Sequence, residues 1–466
     1  MDFLAAAARA AGGHLLAGEA AEPWARDWTG KHVGAPLGVA RPGSAAEVAA
    51  VLRLAARAGV AVVPAGGRTG LTGATHATGA LVLSVDRMRA IRAVKPAARV
   101  AVAEAGVVVA DLGAAAEEAG LSFPLAFGAR GQAVVGGVLS TNAGGANVLR
   151  HGSARDLCLG LEVVLPDGRV LDLMGELRKD NAGYALRHLF IGAEGTLGII
   201  TAAVLRLSAR PLARATAMLA LPSLPAALAL LSRAEDEVGG VEAFEWMPRS
   251  FIEGHLRLRP EAHEPFEGRH EVNVLLEVAS TAARDALPGP DGATPLDARL
   301  EAFLGAALDE GALLDAVVAR SEAQRREMWA RREDAASIAL LRRPFVDTDI
   351  ALPLDAVEPA LRLIRERIAA LDPGATDLVV AHLGDGNLHY TAYPSRDEAD
   401  LHDAIRAAVD GTAREMGGSF SAEHGVGLSK LPAMRALKDP VALDVMRDLK
   451  RALDPHNLMN PGKVLP

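Results

Sequence analysis

At 466 residues, with 50% apolar and only 4% aromatic residues, the chain is long enough for about two or three domains with buried cores. Its formal net charge of −9 argues against a nucleic-acid surface, so the expected partners are small molecules or other proteins. A single cysteine, Cys158, excludes an internal disulfide and a thiolate metal cluster, and fits a reducing compartment. The N-terminus lacks a basic segment leading into an apolar run, and no stretch of about 18 uncharged apolar residues occurs. The expected location is cytoplasmic.

From residue 36 to 210 short β runs (60–63, 81–85, 161–165) alternate with helical stretches (47–58, 109–119) and glycine-rich turns. Pro166-Asp167-Gly168 is a hairpin turn between 161–165 and 170–173, so the class is α+β with antiparallel pairing rather than a βαβ series. Three glycine loops stand out. The first, Val63-Pro64-Ala65-Gly66-Gly67-Arg68-Thr69-Gly70-Leu71-Thr72-Gly73, follows a β run, and its glycines let backbone N–H groups converge on an anion such as a diphosphate. It is neither the dinucleotide fingerprint nor a P-loop, and alone it reads equally well as a plain turn. A second loop runs from Gly128 to Gly145 and adds Ser140, Thr141 and Asn142 as donors. The third is Glu194-Gly195-Thr196-Leu197-Gly198-Ile199-Ile200-Thr201. A flat cofactor lying along bare backbone explains all three together.

Pro211 and the Pro222-Ser223-Leu224-Pro225 cluster mark a break, after which long helices (226–237, 296–308, 320–341) are expected with few strands. An exposed loop covers 288–295. The stretch His382-Leu383-Gly384-Asp385-Gly386-Asn387-Leu388-His389 reads as a hairpin with Asp385-Gly386 at its tip, which sets His382 opposite His389. Opposed side chains start about 5 Å apart at Cβ, within reach of one divalent ion. Downstream, Glu423 and His424 are adjacent and point to opposite sides of an extended segment. One is free to complete a two-histidine, one-carboxylate site while the other faces a reacting group as base. A histidine near a turn is by itself an ordinary surface or core residue; the pair followed by Glu-His is what argues for chemistry. An amphipathic helix over 441–453 closes the chain before Asn460-Pro461-Gly462-Lys463.

Across nearly its whole length the chain resembles the flavoproteins of the vanillyl-alcohol oxidase type. Within them it is most similar to the D-2-hydroxy acid dehydrogenases, above all those acting on D-2-hydroxyglutarate. The motifs that carry the resemblance include Pro64-Ala-Gly-Gly-Arg-Thr-Gly70, Ser140-Thr-Asn-Ala-Gly-Gly145, Arg178-Lys-Asp-Asn-Ala-Gly-Tyr184, Phe190-Ile-Gly-Ala-Glu-Gly-Thr-Leu-Gly198, His382-Leu-Gly-Asp-Gly-Asn-Leu-His389, Ser421-Ala-Glu-His-Gly425 and Asn460-Pro-Gly-Lys463. The resemblance implies a two-lobed FAD-binding domain of that type over 1–211, an α+β substrate or cap domain with the metal site over 212–435, and a C-terminal helical segment over 436–466.

It also implies roles. FAD is held by Pro64, Ala65, Gly66, Gly67, Arg68, Thr69, Gly70 and Gly73 at its pyrophosphate. Pro124, Leu125, Gly128, Gly131, Gly136, Gly137, Ser140, Thr141, Asn142, Gly144 and Gly145, with Glu194, Gly195, Gly198, Ile199, Ile200 and Asn460, line its two ends. The first loop has no histidine, so the flavin is expected to be non-covalent. His382, His389 and Glu423 hold Zn2+ or a similar divalent metal, His424 is the catalytic base, and Arg332, Tyr390 and Thr391 meet the substrate. The implied reaction takes the hydroxyl proton to His424 and the C2 hydrogen as hydride to flavin N5.

The substrate-side positions depart from the glutarate pattern. Ala336 stands where that pattern has a threonine, and Asp347 where it has a lysine. An anion in place of a cation is worth on the order of 1–4 kcal/mol against a nearby carboxylate. D-lactate, D-malate and glycolate therefore stay open as substrates. The electron acceptor is expected to be an electron-transfer flavoprotein, a quinone or a cytochrome, and a homodimer is common among such folds. Outside this class stand a flavin-free metal hydrolase with Glu423 as base and an inactive flavin-binding subunit.

Overall fold

Ser44 opens the first long helix: its side-chain oxygen accepts from the Glu47 N–H, and the helix Ala45–Ala58 ends at Gly59 with φ 64°. Val48, Val51, Leu52 and Ala55 recur at helical spacing and are buried, each larger side chain contributing about 1.5–3 kcal/mol on burial. The structure, a computed structural model, describes residues 3–290 and 292–466. It divides into two units: residues 1–144, 151–209 and 423–466 form the first, and 145–150 with 210–422 the second.

The first unit holds two sheets and a small ribbon. Strands β1 (Leu15–Leu16), β2 (Gly38–Ala40), β3 (Val62–Ala65) and β4 (Leu81–Ser84) form a four-stranded sheet in the order β1-β2-β4-β3, whose β2, β4 and β3 run parallel. Strands β5 (Ile91–Lys95) and β6 (Val100–Glu104) belong to an antiparallel sheet; β7 (Leu121–Ser122) does not. That sheet is completed by β8 (Cys158–Val164), β9 (Val170–Leu173) and β10 (Ile199–Arg206), in the order β5-β6-β10-β8-β9. β7 pairs instead with β11 (Ser208–Ala209). The hairpin at 166–168 is present, with Leu161 opposite Leu173 and Gly168 at φ 81°. Cys158 is buried, and burial pushes its thiol up to about 12, so it is a packing residue rather than a nucleophile.

The second unit is built on one seven-stranded antiparallel sheet: β12 (Ala213–Leu221), β13 (Val241–Pro248), β14 (Val272–Ser280), β15 (Asp315–Val318), β16 (Val346–Ala351), β17 (Thr376–His382) and β18 (Asn387–Tyr393), ordered β15-β12-β14-β13-β17-β18-β16. This is more strand than expected, for a physical reason. Every residue of β13 is buried, both faces being covered, so the run shows no polar alternation to mark it. The helix expected over 320–341 is two, Glu322–Glu333 and Ala335–Ala339, separated at Asp334.

The division also differs from the domains expected from sequence. Residues 423–435 group with the first unit, because their backbone is tied there. Val426 and Gly427 donate to the Glu194 carboxylate at 2.6 and 2.9 Å, and Leu428 donates to the Thr72 carbonyl at 2.8 Å.

Candidate active site

In the first unit the three glycine loops converge. Pro64, Ala65 and Gly66 from the end of β3, Gly136, Gly137, Ser140 and Thr141, and Glu194, Gly195, Gly198, Ile199 and Ile200 line one cleft. Glycine backbone makes up part of its lining, with Pro64, Ile199 and Ile200 beside it. A Cβ on Gly67 would lie 2.2 Å from the Gln132 carbonyl, and one on Gly195, at φ 71°, would lie 2.7 Å from Pro64. Among the described residues none accepts a hydrogen bond from the N–H groups of residues 66–70, and Arg68 among them is left-handed at φ 55°. A run of unpaired donors on a turning backbone is an anion nest, and the glycine lining beside it suits a flat ring. These residues fit a flavin dinucleotide.

The side chains around the cleft have other tasks. The Arg68 guanidinium stacks over Trp24 at 4.2 Å and donates to the Pro23 carbonyl, so only its backbone faces the nest. The Asn142 side chain accepts from Ser153 Oγ and the Arg155 N–H at 3.0 and 2.9 Å. Asn460 donates to the carbonyls of Ala74 and Glu194 at 3.0 and 2.8 Å, closing the C-terminal motif onto the first and third loops. Gly128 and Gly131 are exposed, Pro124 and Leu125 buried, and none of the four lines the cleft. Gly145 starts the short segment grouped with the second unit.

Glu194 links the cleft to His424. Its carboxylate is buried and accepts from the N–H groups two and three residues beyond that histidine. Burial pushes the carboxyl up, and the two amides and Lys430 pull it part of the way back. Thr72 Oγ1 donates to the His424 carbonyl at 3.4 Å, and His424 Nε2 lies 3.9 Å from Glu423. The loop carrying both residues is thus pinned from both sides.

In the second unit the hairpin between β17 and β18 exists, but its register corrects the sequence reading. His382 faces Asn387 and Val380 faces His389, because the loop takes four residues, Leu383 to Gly386, rather than two. The histidines are diagonal neighbours on one face, with ring centroids 5.5 Å apart and nearly perpendicular. They remain close enough for one ion, and two imidazoles suit a borderline metal such as zinc.

Each histidine stands beside a carboxylate that sequence reasoning missed. Glu245 on β13 pairs with His382 on β17, its oxygens 2.8 and 2.9 Å from Nδ1. Asp349 on β16 pairs with His389 on β18, 3.9 Å from Nδ1, and also accepts from Asn387 Nδ2 at 2.9 Å. Glu245 is 1% exposed. Burial alone would push its carboxyl up, but His382 and Arg332 outweigh that and hold it below the usual range. A signal existed: Glu242 and Glu245 interrupt an apolar run, and Asp347 and Asp349 alternate in another.

Arg332 reaches the same place. Its Nε donates to Glu245 at 2.7 Å and its Nη2 lies 3.1 Å from His382 Nε2. Thr391 shares the histidine face and donates to Asp347 at 3.1 Å. Tyr390 does not share it. One residue from both His389 and Thr391, it points to the opposite face and packs in the main core at 1% exposure, where burial and Asp377 push its phenol up. The expected substrate contact is therefore withdrawn. The edge of β16 carries the chain towards the last two site residues: Ser419 pairs with Ala351, and Ala422 donates to the Asp349 carbonyl at 3.3 Å. Glu423 follows, its Cα about 3.8 Å further along the chain.

Comparison with known proteins bears on both units. Residues 36–174 match the family described as the FAD binding domain, and residues 210–464 the C-terminal domain of FAD linked oxidases. A D-2-hydroxyglutarate dehydrogenase from Xanthomonas citri pv. viticola is 35% identical over 95% of this chain and 92% of its own length. The mitochondrial D-2-hydroxyglutarate dehydrogenase of Bos taurus is 37% identical over 100% of this chain and 84% of its own length. A solved structure of p-cresol methylhydroxylase with substrate bound superposes with a TM-score of 0.75 at 13% identity, covering 99% of this chain and 96% of that one. That last likeness is one of fold.

Proposed function

This chain belongs to the FAD-dependent D-2-hydroxy acid dehydrogenases, and on that footing we propose that it oxidises a D-2-hydroxy acid of the D-2-hydroxyglutarate type with the help of a divalent metal. The observation that carries the metal reading is the pairing of His382 and His389 on one sheet face, 5.5 Å apart. Glu423 is the third ligand in this reading. FAD, when bound, supplies the hydride acceptor, and the metal, when bound, supplies a Lewis acid for the substrate hydroxyl.

The chain's own residues do the rest. His424, held by the anchored loop after it, takes the hydroxyl proton. Arg332 orients the substrate carboxylate through the guanidinium donors that Glu245 and His382 leave over. Thr391 lines the same face. Electrons leave to an electron-transfer flavoprotein or a quinone. A second reading, a D-lactate-like monocarboxylate substrate, is favoured by one observation: Asp347 shares the face of Thr391 and Asp349, so the charge there is negative.

A dye-linked assay with D-2-hydroxyglutarate, D-malate, D-lactate, glycolate and the L-enantiomers tests both. Highest kcat/KM with D-2-hydroxyglutarate supports the first reading, and preference for D-lactate or glycolate supports the second. Turnover of L-acids alone contradicts both.

A further inference from the structure

Glu245 touches two site residues at once, His382 and Arg332. It is set opposite His382 by backbone pairing of β13 and β17, so the contact follows from strand register and not from the reach of a flexible side chain. A carboxylate offers only acceptors and a guanidinium only donors. Glu245, 2.8 and 2.9 Å from Nδ1, demands the proton on that nitrogen, whereas Arg332 Nη2, 3.1 Å from Nε2 and 3.4 Å from Nδ1, lies against the ring rather than along the Nε2 lone pair. The Arg332 Nε donates to Oε2 of the same carboxylate at 2.7 Å, which fixes its orientation.

We propose that Glu245 is a positioning residue for the oxidation: it locks His382 in the Nδ1–H tautomer, so that Nε2 is presented as a metal ligand, and it holds Arg332 against the same site. This rests on the reading of His382 as a ligand. The hydrogen bond to a carboxylate also raises the basicity of the far nitrogen. His389 is held differently, since Asp349 lies 3.9 Å from its Nδ1 and accepts the Asn387 amide as well.

The rival account is that Glu245 is only a buried counter-ion of Arg332. Two measurements on the full-length, FAD-loaded, metal-stripped protein separate them. In the first, Zn2+ is titrated against a chromophoric chelator. Glu245→Gln keeps the size of the side chain but offers one acceptor oxygen where two donors need it, and its Zn2+ affinity is expected to fall about 10- to 100-fold. Unchanged affinity overturns the proposal while leaving the metal reading intact. Wild-type protein that takes up no Zn2+ overturns the metal reading, and this inference with it. In the second, which needs no variant at position 245 to fold, 15N-histidine NMR of the wild type reads the tautomer directly, with the His382 signals identified by their loss in His382→Gln. Protonated Nδ1 and unprotonated Nε2 are expected near neutral pH; an Nε2–H form or a tautomer mixture contradicts the proposal.

Discussion

The two units build their working surfaces by opposite means. The first exposes backbone: its cleft is lined by glycine loops, and its free N–H groups run through residues 66–70. The second works through side chains: Glu245, His382, His389 and Asp349 stand on neighbouring strands, held in place by register. A backbone site fails when a Cβ is added, whereas a register site fails when a charge or a lone pair is removed. The first kind of damage removes the cofactor and the second leaves it in place.

The sharpest break of this contrast is His382→Ala. Loss of a ligand to a Lewis acid is worth several kcal/mol, so kcat/KM is expected to fall on the order of 10³-fold while the ratio of flavin to protein absorbance stays at the wild-type value. Gly67→Ala does the reverse. The added carbon meets the Gln132 carbonyl at 2.2 Å, an overpacking of about 1–3 kcal/mol, and purified protein should carry less flavin while still binding Zn2+ with wild-type affinity.

Glu194→Gln tests the anchor of the His424 loop. The amide turns an NH2 towards one of the two donors at 2.6 and 2.9 Å, leaving an unsatisfied N–H worth about 1–3 kcal/mol. A slower flavin reduction is expected in stopped-flow measurements, with Zn2+ affinity falling less than in His382→Ala.

The smallest effect lies two residues beyond Arg332. The Arg259 guanidinium bonded to Asp334 at 3.0 and 3.1 Å holds that carboxyl below its ordinary value of 3.8. With the folded-state pKa below the unfolded one, the contribution is complete above 3.8 and drains away as pH falls through the depressed folded value. Because Arg259 is half-exposed, solvent screening keeps the contribution of the pair small. Asp334→Asn should lower the urea midpoint slightly at pH 7 and lose less of it than the wild type on acidification.

The contrast also explains what the sequence disclosed. A backbone site must be written in glycine, so the loops at 64–73, 136–145 and 194–198 were legible as one flat-ligand site, and the vanillyl-alcohol oxidase type of fold followed from their motifs. The histidine pair was legible from Asp385-Gly386, but its register was not: a four-residue loop and a two-residue turn share the same glycine, and only the structure sets His382 against Asn387. That same alternation removed Tyr390 from the site. Glu245 was hidden by distance, lying 137 positions from His382 on a strand whose two buried faces erase the period-two signal. Asp334 divides what apolar spacing suggested was one helix, and the pairing of residues 426–427 with Glu194 drew a segment out of the domain where its sequence neighbours lie.

The most direct test of the account is anaerobic bleaching of the flavin absorbance by D-2-hydroxyglutarate, D-malate and D-lactate in turn, before and after chelation and again after Zn2+ is returned. The account predicts that at least one D-acid bleaches the protein, that chelator slows the bleaching on the order of 10³-fold, and that Zn2+ restores it. Bleaching that proceeds unchanged in a fully metal-stripped protein would contradict the metal assignment of His382, His389 and Glu423. A yellow protein that no D-acid reduces would contradict the catalytic assignment as a whole.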